Sequence, residues 1–274
     1  MFQESPEVSG REMIMMMGKR DVMRDRLKRI CLRNGAVAFG IASVADVDAF
    51  PMIRIGRTWR RVTGTKSFCT KRLTEAMPDA KSMVVFGILS IDDSFELAVR
   101  IGRGEYDWPG YTPLWVMRYL ARQPLLDEGY KVAYPYETPW PNSYKRVFRL
   151  AGIGAFGKNS LIISPTHGPW LRFGYFLTDA DLEPDKPFEK DLCGDCDRCV
   201  RACPVGALKP YVVNPEKCLV GIHARSRAPK ASRVSLDKYE PQLTPATHVM
   251  CTRCQVVCPY TSAQRRRNVI VHCR

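Results

Sequence analysis

Residues 193–204 read Cys193-Gly194-Asp195-Cys196-Asp197-Arg198-Cys199-Val200-Arg201-Ala202-Cys203-Pro204, and residues 251–259 read Cys251-Thr252-Arg253-Cys254-Gln255-Val256-Val257-Cys258-Pro259. The first run has the C-x2-C-x2-C-x3-C-P spacing of a 4Fe–4S ligand set, in which three thiolates converge on one cube and the fourth crosses to another. The second run is short by one cysteine. If Cys251 and Cys254 fill its second and third places and Cys258 its crossing place, the missing ligand must come from elsewhere. Cys218, between the two runs, is the natural supplier. One cluster is then expected on Cys193, Cys196, Cys199 and Cys258. The other is expected on Cys203, Cys218, Cys251 and Cys254. A zinc ribbon would show two CxxC pairs and no CxxCxxCxxxCP, and a c-type haem site would show CxxCH. Neither pattern is present. Cys31, Cys69 and Cys273 are left over as ordinary cysteines.

Working outward, the grammar of the chain changes near residues 185–190. Beyond it cysteines, prolines and short turns dominate. Before it the chain reads as mixed helix and strand. Residues 20–34 carry a helical apolar period ended by Asn34–Gly35, and Ala36–Ala42 reads as a strand. A short helix is expected near Leu73–Met77. Lys81–Ile91 (KSMVVFGILSI) is the clearest buried strand. Ser94–Ile101 is expected to be helical, Gly102–Thr112 a loop, and Pro113–Ala121 a helix that Pro124 bends or ends. Lys131–Tyr134 reads as a short strand. Asn142 is placed to cap a helix running to Leu150. Ser160–Ser164 and Trp170–Thr178 read as strands paired across the turn PTHGP. The expected organisation is a disordered leader over 1–18, an α/β domain over 19–187, and a double-cluster domain over 188–274.

The 274 residues carry a formal net charge of +14 and are 45% hydrophobic. The positive charge is spread along the chain and no RNA-recognition motif accompanies it. It is compatible with RNA or with an acidic redox donor. No apolar run reaches the roughly 20 residues a membrane-spanning helix needs. No secretion signal is visible, and cysteines at ligand spacing rather than in a disulfide framework fit a reducing cytoplasm.

The segment Ala151-Gly152-Ile153-Gly154-Ala155-Phe156-Gly157-Lys158-Asn159-Ser160-Leu161 contains GxGxxG. A dinucleotide site needs a strand before such glycines and a helix after them. Here the order is inverted, and the spacing to Gly157–Lys158 is not that of a P-loop. The glycines instead mark a backbone that passes close to something flat or bulky.

Taken together, AGIGAFGKNSLIISPTHGPWLRFGYFLTD, CGDCDRCVRACPVGAL, the lone cysteine and CTRCQVVCPY resemble epoxyqueuosine reductase, a family related to the reductive dehalogenases. The resemblance is firm from Ala151 to Tyr260. It implies an α+β protein: a nitroreductase-like, cobalamin-binding-type domain followed by a bacterial ferredoxin-like double-cluster domain. It also implies a base-off cobalamin with Gly152, Gly154, Gly157, Lys158, Asn159 and Ser160 against the corrin ring. Electrons would come from an external low-potential donor such as ferredoxin or flavodoxin, and tRNA would be the family's substrate. The family's catalytic Asp falls, by ungapped counting, on Thr138. Glu137 and Tyr136 are the nearest candidate proton donors, with Lys145 and Arg146 in reach. The sequence around 50–70 does not resemble the family. The competing reading is an electron-transfer or reductive-activation protein without its own corrinoid or substrate site.

Overall fold

The computed structural model describes residues 10–52, 54, 69–102, 105–134, 144–221 and 230–262. Helix α1 (Gly10–Arg33) leads into strand β1 (Ala36–Ser43), helix α2 (Val44–Asp48), helix α3 (Leu73–Ala76) and strand β2 (Ser82–Leu89). A 3-10 turn at Asp93–Glu96 precedes strands β3 (Leu97–Gly102) and β4 (Glu105–Asp107). Helix α4 (Thr112–Asp127), strand β5 (Val132–Ala133) and helix α5 (Tyr144–Leu150) follow. Strands β6 (Ala155–Phe156), β7 (Ile162–Ile163) and β8 (Leu171–Thr178) complete this part. The cysteine-rich part holds α6 (Arg198–Arg201), β9 (Leu208–Lys209), β10 (Val212–Val213), α7 (Lys230–Tyr239), β11 (Thr247–Val249) and α8 (Arg253–Val256).

The main sheet has the order β1-β2-β8-β5 and every neighbouring pair is antiparallel. Antiparallel sheets usually wet one face, yet all eight residues of β2 are buried. Helices cover both faces, which accounts for the unbroken apolar run. Met83 and Val85 of β2 join Tyr175 and Leu177 of β8 beneath α2, α3 and α5, where Val44, Val47, Leu73, Val147 and Phe148 pack. Val84, Phe86 and Phe176 face the other way, against Met23 and Leu27 of α1 and Leu114, Met117 and Leu125 of α4. Each such fully buried side chain contributes about 1.5–3 kcal/mol. Asp48 ties the region before β2 together by accepting from Leu73 N (2.7 Å) and from Thr74 N (3.1 Å), so that it caps α3.

Several sequence expectations are revised. Helix α1 begins at Gly10, inside the stretch read as a disordered leader, and ends as expected: Asn34 Nδ2 donates to Ile30 O (2.8 Å) and Gly35 sits at φ +94°. Residues 97–102 are strand rather than helix, because β3 pairs with β4 on one side and with β11 on the other. Part of the loop expected over 102–112 is therefore strand β4. Pro124 neither ends nor interrupts α4. It lies buried within the helix. The strand at 162–163 pairs with β6, while β8 pairs with β2 and β5, so the pairing expected across PTHGP is confined to the single bridge Ser164–Gly168.

The expected boundary at 187/188 marks a change of composition, but the chain crosses it again. Strand β11 returns to pair Thr247, His248 and Val249 with Val99, Ala98 and Leu97. Met250 N donates to Glu96 O (2.9 Å), and Trp170 Nε1 donates to Thr261 Oγ1 (3.0 Å). Among the described residues, no helix is long and apolar enough to cross a membrane.

Candidate iron–sulfur centre

Two similar turns present the cysteines. In the first run Cys196 N donates to Cys193 O (2.8 Å), and α6 starts as Arg201 N reaches Asp197 O (3.1 Å). In the second, Gln255 N and Val256 N turn back on Thr252 O (2.8 and 3.0 Å), and Cys258 N reaches Gln255 O (3.1 Å). Gly194 (φ +44°), within the first run, and Gly206 (φ +58°), just after it, take left-handed conformations. Cys218 follows an Asx turn in which Glu216 N donates to Asn214 Oδ1 (2.9 Å), and its own N–H donates to the backbone Asn214 O (3.0 Å).

The eight thiols stand in two sets. Cys193, Cys196, Cys199 and Cys258 line one cavity together with Lys158 and Asn159. Cys258 faces Cys193, Cys199 and Cys196 electrostatically. In the second set Cys251 faces Cys218 and Cys203, and Cys254 faces Cys251, Cys218 and Cys203. Cys254 also faces Cys199 of the first set, so the two sets adjoin. Among the described residues, no three His, Cys, Asp or Glu side chains converge on the point a single metal ion needs. A cube holds its four sulfurs further apart than one ion does.

Burial pushes the thiols up: Cys258 to about 11, Cys251 to about 12, and Cys254 higher still. Iron binds thiolate, so the positive charge of the iron must offset this burial. Backbone N–H groups already point at sulfur, from Lys158 to Cys193 Sγ (3.4 Å) and from Ala207 to Cys203 Sγ (3.2 Å).

The glycine-rich segment is a hairpin, β6–β7, pressed onto the first thiol set. A Cβ on Gly154 would lie 2.3 Å from Ile163 O, and one on Gly157 would lie 2.5 Å from Ile163 Cγ1. A Cβ on Gly152 would lie 2.9 Å from Lys186 O, and that residue has φ +70°. The bulky neighbour that these glycines admit is the protein's own chain. Lys158 Nζ donates to Gly194 O, and buried Asn159 accepts from Leu161 N (3.1 Å) through Oδ1. All six residues expected against a corrin ring are thus engaged with protein: Ser160, held at φ +63°, donates its N–H to Gly157 O (2.8 Å), and its carbonyl accepts from Lys145 Nζ.

Lys145 is the residue of this region whose environment is most unusual. Burial lowers its ammonium to about 8, partly offset by Cys218 and Cys254 of the second thiol set. It therefore stands between the hairpin tip and that set. Glu137 and Tyr136 lie outside the described residues, as do Asn142 and Trp140. Trp115 is exposed on α4, and Trp170 is fully buried. Of the spare cysteines, Cys31 is packed in the core with its thiol raised to about 12, Cys69 is exposed, and Cys273 lies outside the described residues.

Sequence reasoning missed Glu240. Its buried carboxylate accepts from Cys251 N (3.1 Å) and stands 3.8 Å from the Nε2 of buried His248, which Tyr106 meets edge-on. Neither KYEPQ nor THVMC carries a spacing signal for this pair, because α7 and β11 bring it together only in three dimensions.

The fold and the site define an iron–sulfur protein: residues 192–261 match the 4Fe-4S double cluster binding domain, which carries two 4Fe–4S clusters. The relatives are more particular. The epoxyqueuosine reductase of Listeria monocytogenes is 41% identical over 115 residues, which are 42% of this chain and 28% of that protein. That of Gloeobacter violaceus is 34% identical over 135 residues, 49% of this chain and 40% of its own length. The aligned stretches thus span well under half of the curated relatives. In structure, epoxyqueuosine reductase from Bacillus subtilis superposes with a TM-score of 0.64 at 20% identity, covering 93% of this chain and 68% of that one. An epoxyqueuosine reductase solved with a modified tRNA-Tyr stem loop gives 0.65 at 20% identity over the same shares. A reductive dehalogenase solved in connection with B12-dependent dehalogenation gives 0.53 at 18%, covering 88% of this chain and 32% of that one. The chain has the fold shared by these two groups of proteins.

Proposed function

We propose that this protein is an iron–sulfur reductase that moves electrons singly through two 4Fe–4S clusters to a corrinoid and from there to an electrophilic substrate. The observation that carries the reading is the pair of adjoining thiol sets, with Cys254 of one within electrostatic reach of Cys199 of the other. One cluster is held by Cys193, Cys196, Cys199 and Cys258, the other by Cys203, Cys218, Cys251 and Cys254. Adjacency makes a conductor of two centres that would otherwise be staples. The corrinoid comes from the relatives' chemistry: low-valent cobalt is a strong one- or two-electron reductant. Tyr136 and Glu137 are the proposed proton donors, and a modified tRNA base is the substrate class that the relatives' names suggest.

The chain's own residues do three things in this reading. The thiolates hold iron, the hairpin seals the first set against water with Lys158 and Asn159, and Lys145 places a cation beside the second set. A second reading is favoured by the hairpin itself. Gly152, Gly154, Gly157, Lys158 and Asn159 are all spent on protein contacts, which suits a carrier that hands electrons to a separate partner.

Anaerobic reconstitution with iron, sulfide and cobalamin separates the two. After removal of free ligand, the first reading expects about one corrinoid per chain in the visible spectrum, together with about eight irons. Eight irons with no retained corrinoid leave the carrier. In the same preparation Cys218→Ala should hold about half the iron, and full iron would remove Cys218 from the ligand set.

A further inference from the structure

Cys258 lines two spaces at once. Inward, it closes the cavity shared with Cys193, Cys196 and Cys199. Outward, with Pro259, it forms part of an open surface groove between α6 and α8, about 790 Å³ in volume, whose remaining walls are Arg198, Arg201, Ala202, Val256 and Val257. Arg198, Cys258 and Pro259 line both spaces, and Cys258 is the thiol of the first set that borders the groove. The second set sits apart from the groove: none of its four thiols lines it, and Cys251 packs against buried Leu219 and Leu236. The groove therefore opens onto the first set.

The groove has an apolar floor and a basic rim. Arg201 is largely exposed and shares its charge with Asp197, at 2.8 Å. Arg198 is exposed as well. Complexes that pass electrons are small and short-lived, and complementary charge steers them together. The net charge of +14 adds a long-range pull of the same sign.

We infer that the groove between α6 and α8 is the docking face for an acidic, low-potential one-electron carrier protein, which delivers its electron through Cys258 to the first cluster. The inference rests on the proposed ligand assignment for Cys258. In the step, the carrier is oxidised by one electron and the cluster core goes from the 2+ to the 1+ state. No bond or proton changes hands. The first cluster then supplies the second, next to Cys254.

The test uses the full chain loaded with iron and sulfide, and follows cluster bleaching in stopped flow. The reductants are reduced flavodoxin and, separately, dithionite. Arg201→Glu is expected to slow reduction by flavodoxin about five- to tenfold at low salt, and Arg201→Gln less than that, with the difference fading as salt rises. Reduction by dithionite and iron content should stay at wild-type values in both. The control is Lys28→Glu, an equal charge reversal on the exposed face of α1, which should leave the flavodoxin rate within about twofold. A wild-type rate in Arg201→Glu, or an equal loss in Lys28→Glu, overturns the docking face. If Arg201→Glu loses iron, Arg201→Gln decides between the same two results. Wild-type protein that dithionite cannot reduce would instead fail the cluster reading and not the groove.

Discussion

The main sheet and the cysteine module solve the problem of stability in opposite ways. The sheet is sealed on both faces, by side chains such as Phe86 and Leu27 on one and Phe148 and Leu177 on the other, none of which touches solvent. The module has, among the described residues, one small apolar cluster built on Leu219 and Leu236. Burial at about 25 cal/mol per Å² of apolar surface can support the first region. It cannot support the second, whose order must come from ligation. The difference teaches that the clusters here are structural as well as electronic, and that the sheet is the rigid body they are fastened to.

The sharpest way to break this comparison is to remove iron. Chelation under anaerobic, reducing conditions should leave amides of β2 and β8 protected from hydrogen exchange while residues 192–261 lose protection by a factor of about a hundred or more. Equal protection in both regions, with iron gone, would show that the module folds on its own core. A smaller effect tests the fastening. Arg172 reaches buried Glu96, Tyr111 Oη (3.3 Å) and Phe95 O (3.3 Å), and Glu96 Oε1 also accepts from Ser90 Oγ (2.6 Å). Arg172→Met leaves a buried carboxylate without its cation and should cost about 3–5 kcal/mol by denaturant unfolding of the iron-loaded protein. A cost under about 1 kcal/mol would mean that Glu96 finds water or another donor. The smallest effect expected is that of Thr261→Val. It removes the acceptor of the Trp170 indole N–H at the seam between the regions and should cost about 1–2 kcal/mol, visible as a shift in tryptophan fluorescence and in the unfolding midpoint.

The two regions also differ in how much of them could be read from residues alone. The double-cluster domain was legible because iron–sulfur ligation fixes spacing within a few residues, and a run short of one cysteine points to a member elsewhere, for which Cys218 is the proposal. The β2 strand was legible because eight consecutive buried positions leave no polar face. The errors fall where partners are distant. Ser94–Ile101 looks helical, but only its start is a 3-10 turn; from Leu97 on it is strand, because β11, about 150 residues later, pairs with it. Ile162 and Ile163 seemed partners of β8 because a turn lay between, whereas the closer pairing with Ala155 and Phe156 was hidden behind glycines read as a cofactor loop. Pro124 costs α4 little because it is buried against the same core as Ala121 and Leu125, and tertiary packing outweighs local propensity. Glu240 left no trace in the sequence, since a carboxylate that accepts from a backbone N–H and stands beside a distant histidine has no motif.

The return of the chain through β11 has a consequence for timing. Each thiol set is drawn from both cysteine runs: Cys193, Cys196 and Cys199 are joined by Cys258, while Cys203 and Cys218 are joined by Cys251 and Cys254. Synthesis proceeds from the N-terminus, so a ribosome that has made the first run has finished neither set. The sheet can fold while the chain is still growing, but a complete four-thiol nest exists only once residues 251–258 have emerged and β11 has docked. Loading with iron is then the closing act of maturation, and a cell short of iron would accumulate chains with a finished sheet and an open, oxidisable row of cysteines.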